Sequence, residues 1–282
     1  MLSRNQQKLI RSLQQKKQRE IHGLFLIEGN TIITDLVRSG ELHAGNMELL
    51  AATPEWLQRN APEVSGLSKM AASSDPGNRE KRSGPADVTV PADPSELKKL
   101  SALVSPPEVM AVVKMPPGSS RESFRPEQLR EGPSLVFESV RDPGNLGTII
   151  RTADWFGIGN LFCSPDSVDT YNNKVVQASM GAVLRTRPVY IELPVLFEEA
   201  DRFRIPVYGT TMDGDNFYDT PVKVPGLIVF GNEAHGISAH LEPYFRNKIR
   251  IPDFPEGTSA TESLNVATSV AVVCAEIRRR QR

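Results

Sequence analysis

Between residues 132 and 282, short apolar runs alternate with amphipathic stretches of helical period, and this rhythm is the strongest constraint on the fold. Leu135–Val140, Asn160–Cys163, Pro188–Ile191 and Leu227–Phe230 read as strands, and Val207–Met212 as a strand passing into a loop. Leu146 to about Phe156, Asn173 to Leu184 and Val195 to Arg204 read as helices between them. Short, mainly apolar runs separated by amphipathic helices predict a mostly parallel sheet covered on both faces. Such sheets bind ligands beyond the carboxyl ends of their strands. Asn145, Gly209-Thr210, Gly231 and Ile251-Pro252 all fall at such ends and could converge.

Three segments near those ends carry polar residues in telling places. In Asn145-Leu-Gly-Thr-Ile-Ile-Arg151, Asn145 enters a helix and Arg151 lies six residues on. Asp142-Pro-Gly-Asn145 is also an ordinary turn sequence, so Asn145 has a structural as well as a functional reading. Arg151 sits among Ile149, Ile150, Ala153, Trp155 and Phe156, and a guanidinium there must reach solvent or find an anion. The second segment is Leu227-Ile-Val-Phe-Gly-Asn-Glu-Ala-His-Gly236. Gly231 at a strand end lets a ligand approach the backbone, while Glu233 either caps the next short helix or holds Arg151 or substrate. The third, Lys248 to Ile277, runs from a β-branched strand (Ile249, Ile251) through Pro252 and a Gly/Pro/Thr loop to a long helix. That helix is expected to open at Glu262, with Ser263-Leu264-Asn265 in its first turn and free backbone N–H groups at its mouth.

In order and spacing these segments resemble the three motifs of the SpoU (TrmH) branch of the SPOUT methyltransferases. The resemblance implies an S-adenosylmethionine-dependent enzyme that methylates a ribose 2′-hydroxyl in rRNA or tRNA. It implies a C-terminal α/β domain with a mostly parallel sheet and a trefoil knot, in a homodimer whose pocket lies near the interface. Carried onto this chain, it assigns Arg151, Asn145, Glu233, Ser263 and Asn265 to catalysis. Thr210, Phe230, Gly231, Ile251 and Leu264 become the cofactor wall. For Arg151 the family role is activation of the hydroxyl; since arginine hardly deprotonates, stabilising the developing alkoxide or holding the neighbouring phosphate suits it better. The chain departs from many relatives after Ile251-Pro252, where Asp253 to Thr261 forms a longer loop.

The first 115 residues alternate strands and helices as a smaller α/β unit. Residues 3–19 read as one basic helix with Leu9, Ile10 and Leu13 on a narrow apolar stripe. Asn5 to Arg38, including the Arg19–Gly29 run, is similar to the substrate-binding domain found in front of many SpoU-type enzymes, a domain related to small ribosomal RNA-binding proteins. That likeness implies an RNA-gripping module. Residues 65–86, rich in Ser, Gly, Pro and charge, are expected to be a flexible insert. Residues 116–131 are the expected linker and 132–282 the methyltransferase domain.

The formal net charge of -1 gives no global basic field, but six cations crowd the first twenty residues and the chain ends Arg278-Arg279-Arg280-Gln281-Arg282. Each cluster could contact phosphate or be a solvated face. Cys163 and Cys274 have apolar neighbours and read as buried thiols of a reducing compartment; no metal-ligand spacing is visible. A polar N-terminus and the lack of a bilayer-length apolar run point to the cytoplasm. The alternative function is a non-catalytic RNA-binding or ribosome-assembly factor on the same scaffold. A nucleotide-binding Rossmann enzyme is disfavoured, because no G-x-G-x-x-G follows the first strand of either domain.

Overall fold

The computed structural model describes residues 1–71, 88–116, 123–255 and 263–282. The chain divides into two compact units, Met1–Pro116 with Tyr171–Gly181, and Pro117–Thr170 with Ala182–Arg282.

In the first unit, β1 (Leu24–Glu28), β2 (Met47–Ala52), β3 (Thr89–Pro91) and β4 (Val109–Lys114) form a sheet of order β1-β4-β2-β3. The β1–β4 and β4–β2 pairs are antiparallel and β2–β3 is parallel. Its helices are α1 (Arg4–Ser12), α2 (Lys16–His22), α3 (Asn30–Arg38), α4 (Pro54–Arg59), α5 (Ala61–Ala71) and α6 (Pro94–Leu100). The single basic helix expected over 3–19 is two helices. α1 ends at Leu13, and the buried Arg19 of α2 donates through Nη1 to the carbonyls of Leu13 and Gln14 at 2.8 and 3.0 Å. A guanidinium thus satisfies the carbonyls left open at the end of α1. Ile10 and Leu13 pack with Leu97 and Leu100 of α6 in the core. The loop expected from Ser65 is helical as far as Ala71, continuing α5; the rest of that insert lies outside the described residues.

The second unit holds β5 (Pro133–Phe137), β6 (Asn160–Cys163), β7 (Val189–Tyr190), β8 (Val207–Asn216), β9 (Gly226–Phe230) and β10 (Asn247–Arg250). They make one sheet of order β10-β8-β9-β5-β6-β7 in which every pair is parallel, as expected. β5 and β9 are buried at every position, as suits the middle strands of a covered parallel sheet, with Ser134 their one polar residue. The helices are α7 (Pro143–Trp155), α9 (Leu193–Arg202) and α10 (Val266–Arg280), with α8 (Asn173–Ser179) belonging to the first unit. α8 stops short of the expected Leu184 because Met180 and Gly181 both turn left-handed.

Residues 123–131 are not linker. Pro126–Arg130 forms a 3-10 turn, Leu129 is fully buried, and Phe124 packs edge-on to Phe162 at 5.7 Å. The remainder of the Pro/Gly/Ser stretch, 117–122, lies outside the described residues. Both cysteines are buried and free, and burial raises both thiol pKa values, that of Cys274 to about 12. Among the described residues, no helix is long and apolar enough to cross a membrane.

Candidate active site

α7 begins three residues earlier than its apolar pattern suggests. Asp142 caps it by accepting from the Asn145 backbone N–H at 2.8 Å, and Pro143 occupies the first helical position, where a missing N–H costs nothing. Asn145 is therefore the third residue of the helix, not a turn residue before it. Its backbone serves the cap, which leaves the side chain for other partners.

Those partners come from the other two segments. Asn145 Nδ2 donates to Glu233 Oε1 at 2.7 Å, and Asn145 Oδ1 accepts from Asn265 Nδ2 at 2.9 Å. Asn265 is the N-cap of α10, its Oδ1 accepting from the backbone N–H of Ala267 and Thr268. The amide orientations are thereby forced in sequence. Capping makes Asn265 Oδ1 an acceptor, so its Nδ2 faces Asn145; Asn145 then turns its oxygen to Asn265 and its nitrogen to Glu233. α10 thus starts at Val266, and Ser263 and Leu264 precede it rather than forming its first turn. The helical opening expected at Glu262 lies outside the described residues.

A cavity of about 900 Å³ opens beside this chain of hydrogen bonds. Thr210, Phe230, Gly231, Glu233, Ile251, Ser263 and Leu264 line it, so seven of the ten expected site residues share one cleft. Asn145 and Asn265 are joined to its rim through Glu233. Arg151 does not line it. It is exposed on α7, about 9 Å along the helix axis from Asn145 at the standard rise, with no ion pair or hydrogen bond among the described residues. Of the two fates open to its guanidinium, reaching solvent is the one adopted.

Two backbone irregularities shape the cleft. Between Lys248 and Ile249 the β10–β8 register jumps, so that Lys248 faces Gly209 while Ile249 faces Asp215. Residues 210–214 are left without partners on β10, and Thr210, Thr211 and Met212 border the cavity. β8 therefore continues to Asn216 instead of ending in a loop at Met212. At Gly214 an added Cβ would meet the Ile249 backbone at 2.6 Å, so the register jump requires glycine there. Gly231 lines the cleft, but the reason for glycine differs from the expected one. An added Cβ would collide with the backbone of Gly236 and Ile237, where Asn232 and Gly236 exchange backbone hydrogen bonds of 2.9 Å. It is the close return of the chain's own loop that excludes a side chain.

Sequence reasoning missed the residues that hold this loop. Glu138 is buried and accepts from the Ser238 backbone N–H at 2.8 Å through Oε2, while Asn232 Nδ2 donates to the Ser139 carbonyl at 2.8 Å. Ser139 has φ +53°, donates through its backbone N–H to Ser164 Oγ, and bonds Asp166 through its hydroxyl. Burial works against the Asp166 charge, but hydrogen bonds from Ser139, Ser164 and Arg141 outweigh it and hold the carboxyl below its ordinary range.

The residues present suit a ligand with a flat apolar ring and polar edges. Phe230 stacks on Phe137 and forms part of an apolar wall with Ile237, Ile249, Ile251, Leu264 and Val266. Leu264, 51% exposed, holds an aliphatic side chain in the open at the mouth. The Phe230 carbonyl already accepts from the Glu138 N–H, whereas among the described residues the backbone groups of Ile251 and Leu264 have no backbone partner. The backbone groups of Ile251 and Leu264 are thus open to a ligand.

Comparison with known proteins places this architecture. The SpoU rRNA Methylase family matches residues 133–275, and an MRM3-like substrate binding domain matches residues 4–111. The structure of a putative RNA methyltransferase of the TrmH family from Porphyromonas gingivalis superposes with TM-score 0.75 at 33% identity, covering 99% of both chains. An uncharacterized tRNA/rRNA methyltransferase of Synechocystis is 28% identical over 97% of this chain and 90% of its own length. The 23S rRNA (guanosine(2553)-2'-O)-methyltransferase RlmP of Bacillus subtilis is 30% identical over 51% of this chain and 57% of its own. The SpoU methyltransferase AviRb of Streptomyces viridochromogenes, solved with AdoMet, has the same fold with TM-score 0.73 at 23% identity. With its three motif segments gathered at one cleft and the family match running across them, this chain belongs to the SpoU rRNA methylase family.

Proposed function

We propose that this chain transfers the methyl group of S-adenosylmethionine to a ribose 2′-hydroxyl of ribosomal RNA. The observation that carries this reading is the Glu233–Asn145–Asn265 hydrogen-bond chain, which ties three distant segments together at the rim of the cleft. Ile251 and Leu264 would hold the adenine through open backbone groups and aliphatic surface, with Phe230, Gly231 and Thr210 completing the wall. The bound cofactor supplies an already activated methyl group. What remains for the protein is to align the hydroxyl behind it and stabilise the charge that develops.

Arg151 takes the second task. Because it does not line the cleft of its own chain, its guanidinium would reach the cleft of a second copy, where it stabilises the developing alkoxide or holds the adjacent phosphate while the proton leaves by a relay. Glu233 is fixed by Asn145 and faces the cleft, where it positions substrate; Ser263 orients the target ribose from the mouth.

Arg151 is exposed, and Trp155, one turn further along the same face of α7, is 84% exposed. Their exposure supports a homodimer in which α7 meets a second copy. The family fold brings the C-terminal knot, and the first unit, whose residues 4–111 match a substrate binding domain, grips RNA. Calorimetry with S-adenosylmethionine, followed by transfer of labelled methyl to ribosomal RNA, tests the reading. Cofactor binding with no transfer to any RNA would leave a non-catalytic RNA-binding protein instead. Mapping ribose methylation in cells lacking the protein identifies the nucleotide.

A further inference from the structure

The first 22 residues hold six of the chain's 33 lysines and arginines and one of its 34 acidic residues, so the remainder is left with 27 basic and 33 acidic residues. α1 concentrates this asymmetry. Arg4, Lys8 and Arg11, spaced i, i+4 and i+7, are all exposed and form one stripe opposite Ile10 and Leu13. Together with Lys17 they have no hydrogen bond or ion pair among the described residues, and Lys16 has only a 3.9 Å contact with Glu20. Other exposed arginines of the same unit are neutralised, Arg38 by Glu63 at 2.8 Å and Arg59 by Glu108 at 2.5 Å.

This arrangement works against the helix that carries it. Like charges one turn apart repel, and Arg4 stands in the first turn, where the helix dipole favours an acid. The Ser3–Gln6 capping box supports α1 in spite of that placement. Arg19, the one cation of the segment that is buried, brackets the end of α1 to α2 and holds the exposed cations in a fixed frame.

We propose that the Arg4–Lys8–Arg11 stripe, with Lys16 and Lys17 of α2, is a phosphate-binding surface for the RNA backbone that acts without reading base sequence. The inference rests on the RNA-methylating function proposed above and deepens it by locating the grip. A stripe spanning about 10 Å along the axis offers cations at the reach of successive phosphates. A lipid surface suits it less well, because on α1 Ile10 is buried and Leu9 half-buried against the core, which leaves Ile21 of α2 as the single exposed apolar side chain of the two helices.

The test is filter binding of transcribed 23S ribosomal RNA to the full chain, between about 50 and about 200 mM KCl. Arg4→Gln/Lys8→Gln/Arg11→Gln is expected to flatten the slope of log affinity against log salt by about 2 to 3, and to weaken binding at least tenfold at low salt. Arg38→Gln/Arg59→Gln, which removes two neutralised arginines from the same unit, is expected to leave the slope as it was. Wild-type binding whose slope survives the triple substitution overturns the assignment of the surface alone. So does an equal loss in the Arg38/Arg59 control. A wild-type chain that fails to bind RNA at any salt overturns the RNA-directed function together with it.

Discussion

The two ends of the chain carry similar clusters of arginine and lysine, and the fold uses them in opposite ways. At the C-terminus, Arg278 donates to the carbonyls of Phe156 and Gly157 at 2.7 Å, closing the end of α7. Arg280 reaches the carbonyls of Phe217 and Thr220, pairs with Glu276, and lies over the Phe217 ring at 4.9 Å. Arg279 also pairs with Glu276. At the N-terminus only Arg19 is engaged in this way, and the rest stand in solvent. A charge cluster therefore says little about a partner until each member's own partners are known. Three C-terminal arginines stabilise the fold; the N-terminal stripe burdens its helix and is free for something else.

Substitutions can break or sharpen that contrast. The largest effect is expected at Arg151, a free cation like those of α1 but on the helix that supplies Asn145. Arg151→Ala should reduce methyl transfer to rRNA by at least about a hundredfold, the scale of losing one charge-stabilising group. Its S-adenosylmethionine affinity by calorimetry should not change; loss of cofactor binding would show that the guanidinium serves the cleft instead.

Asn145→Asp comes next. It places a carboxylate against Glu233 in place of an amide donor, and a roughly tenfold to hundredfold loss of transfer is expected. Transfer at the wild-type rate would remove the hydrogen-bond chain from the mechanism. Arg280→Ala should lower the unfolding free energy by about 2 kcal/mol in denaturant titration, since carbonyls bonded to a charged donor lose their partner. An unchanged midpoint would mean that the C-terminal cluster is as free as the N-terminal one.

Glu276 refines the comparison by pH. Hydrogen bonds from Arg279 and Arg280 lower its pKa to about 2. A depressed folded-state pKa stabilises above the ordinary carboxylate value and is lost as pH falls through the folded one. The stability gap between the wild type and Glu276→Gln should be constant above about pH 5 and close between about pH 4.5 and pH 2. A gap that persists at pH 2 would rule out the charge as its source. The smallest effect concerns α1, where the triple glutamine variant should keep or slightly raise the melting temperature. Relief of like-charge pairs contributes a few tenths of a kcal/mol each; a marked fall would make the stripe structural.

Much of this was legible in residue order. Asn160–Cys163 forms a strand over the range its composition marks, because an apolar run bounded by turns has few alternatives. Six cleft residues were found from motif position, and Thr210 from its place at a strand end. The start of α7 was misplaced because apolar periodicity begins at Leu146, whereas capping by Asp142 starts the helix at Pro143. Asn265 was placed inside a helix that it caps, since Asn serves either position and only the direction of its side chain distinguishes them.

The sequence by itself determined the alternation of strands and helices, the parallel sheet, and which three segments carry the site chemistry. These follow from local patterns of apolar and polar residues, which act over a few neighbours. Only the tertiary structure decided which amide faces which carboxylate, why Gly231 has no side chain, and which arginines are free. Each of those depends on partners roughly 90 to 120 residues away or on the loop's own return, and hydrogen-bond geometry at that separation is set by packing, not by periodicity.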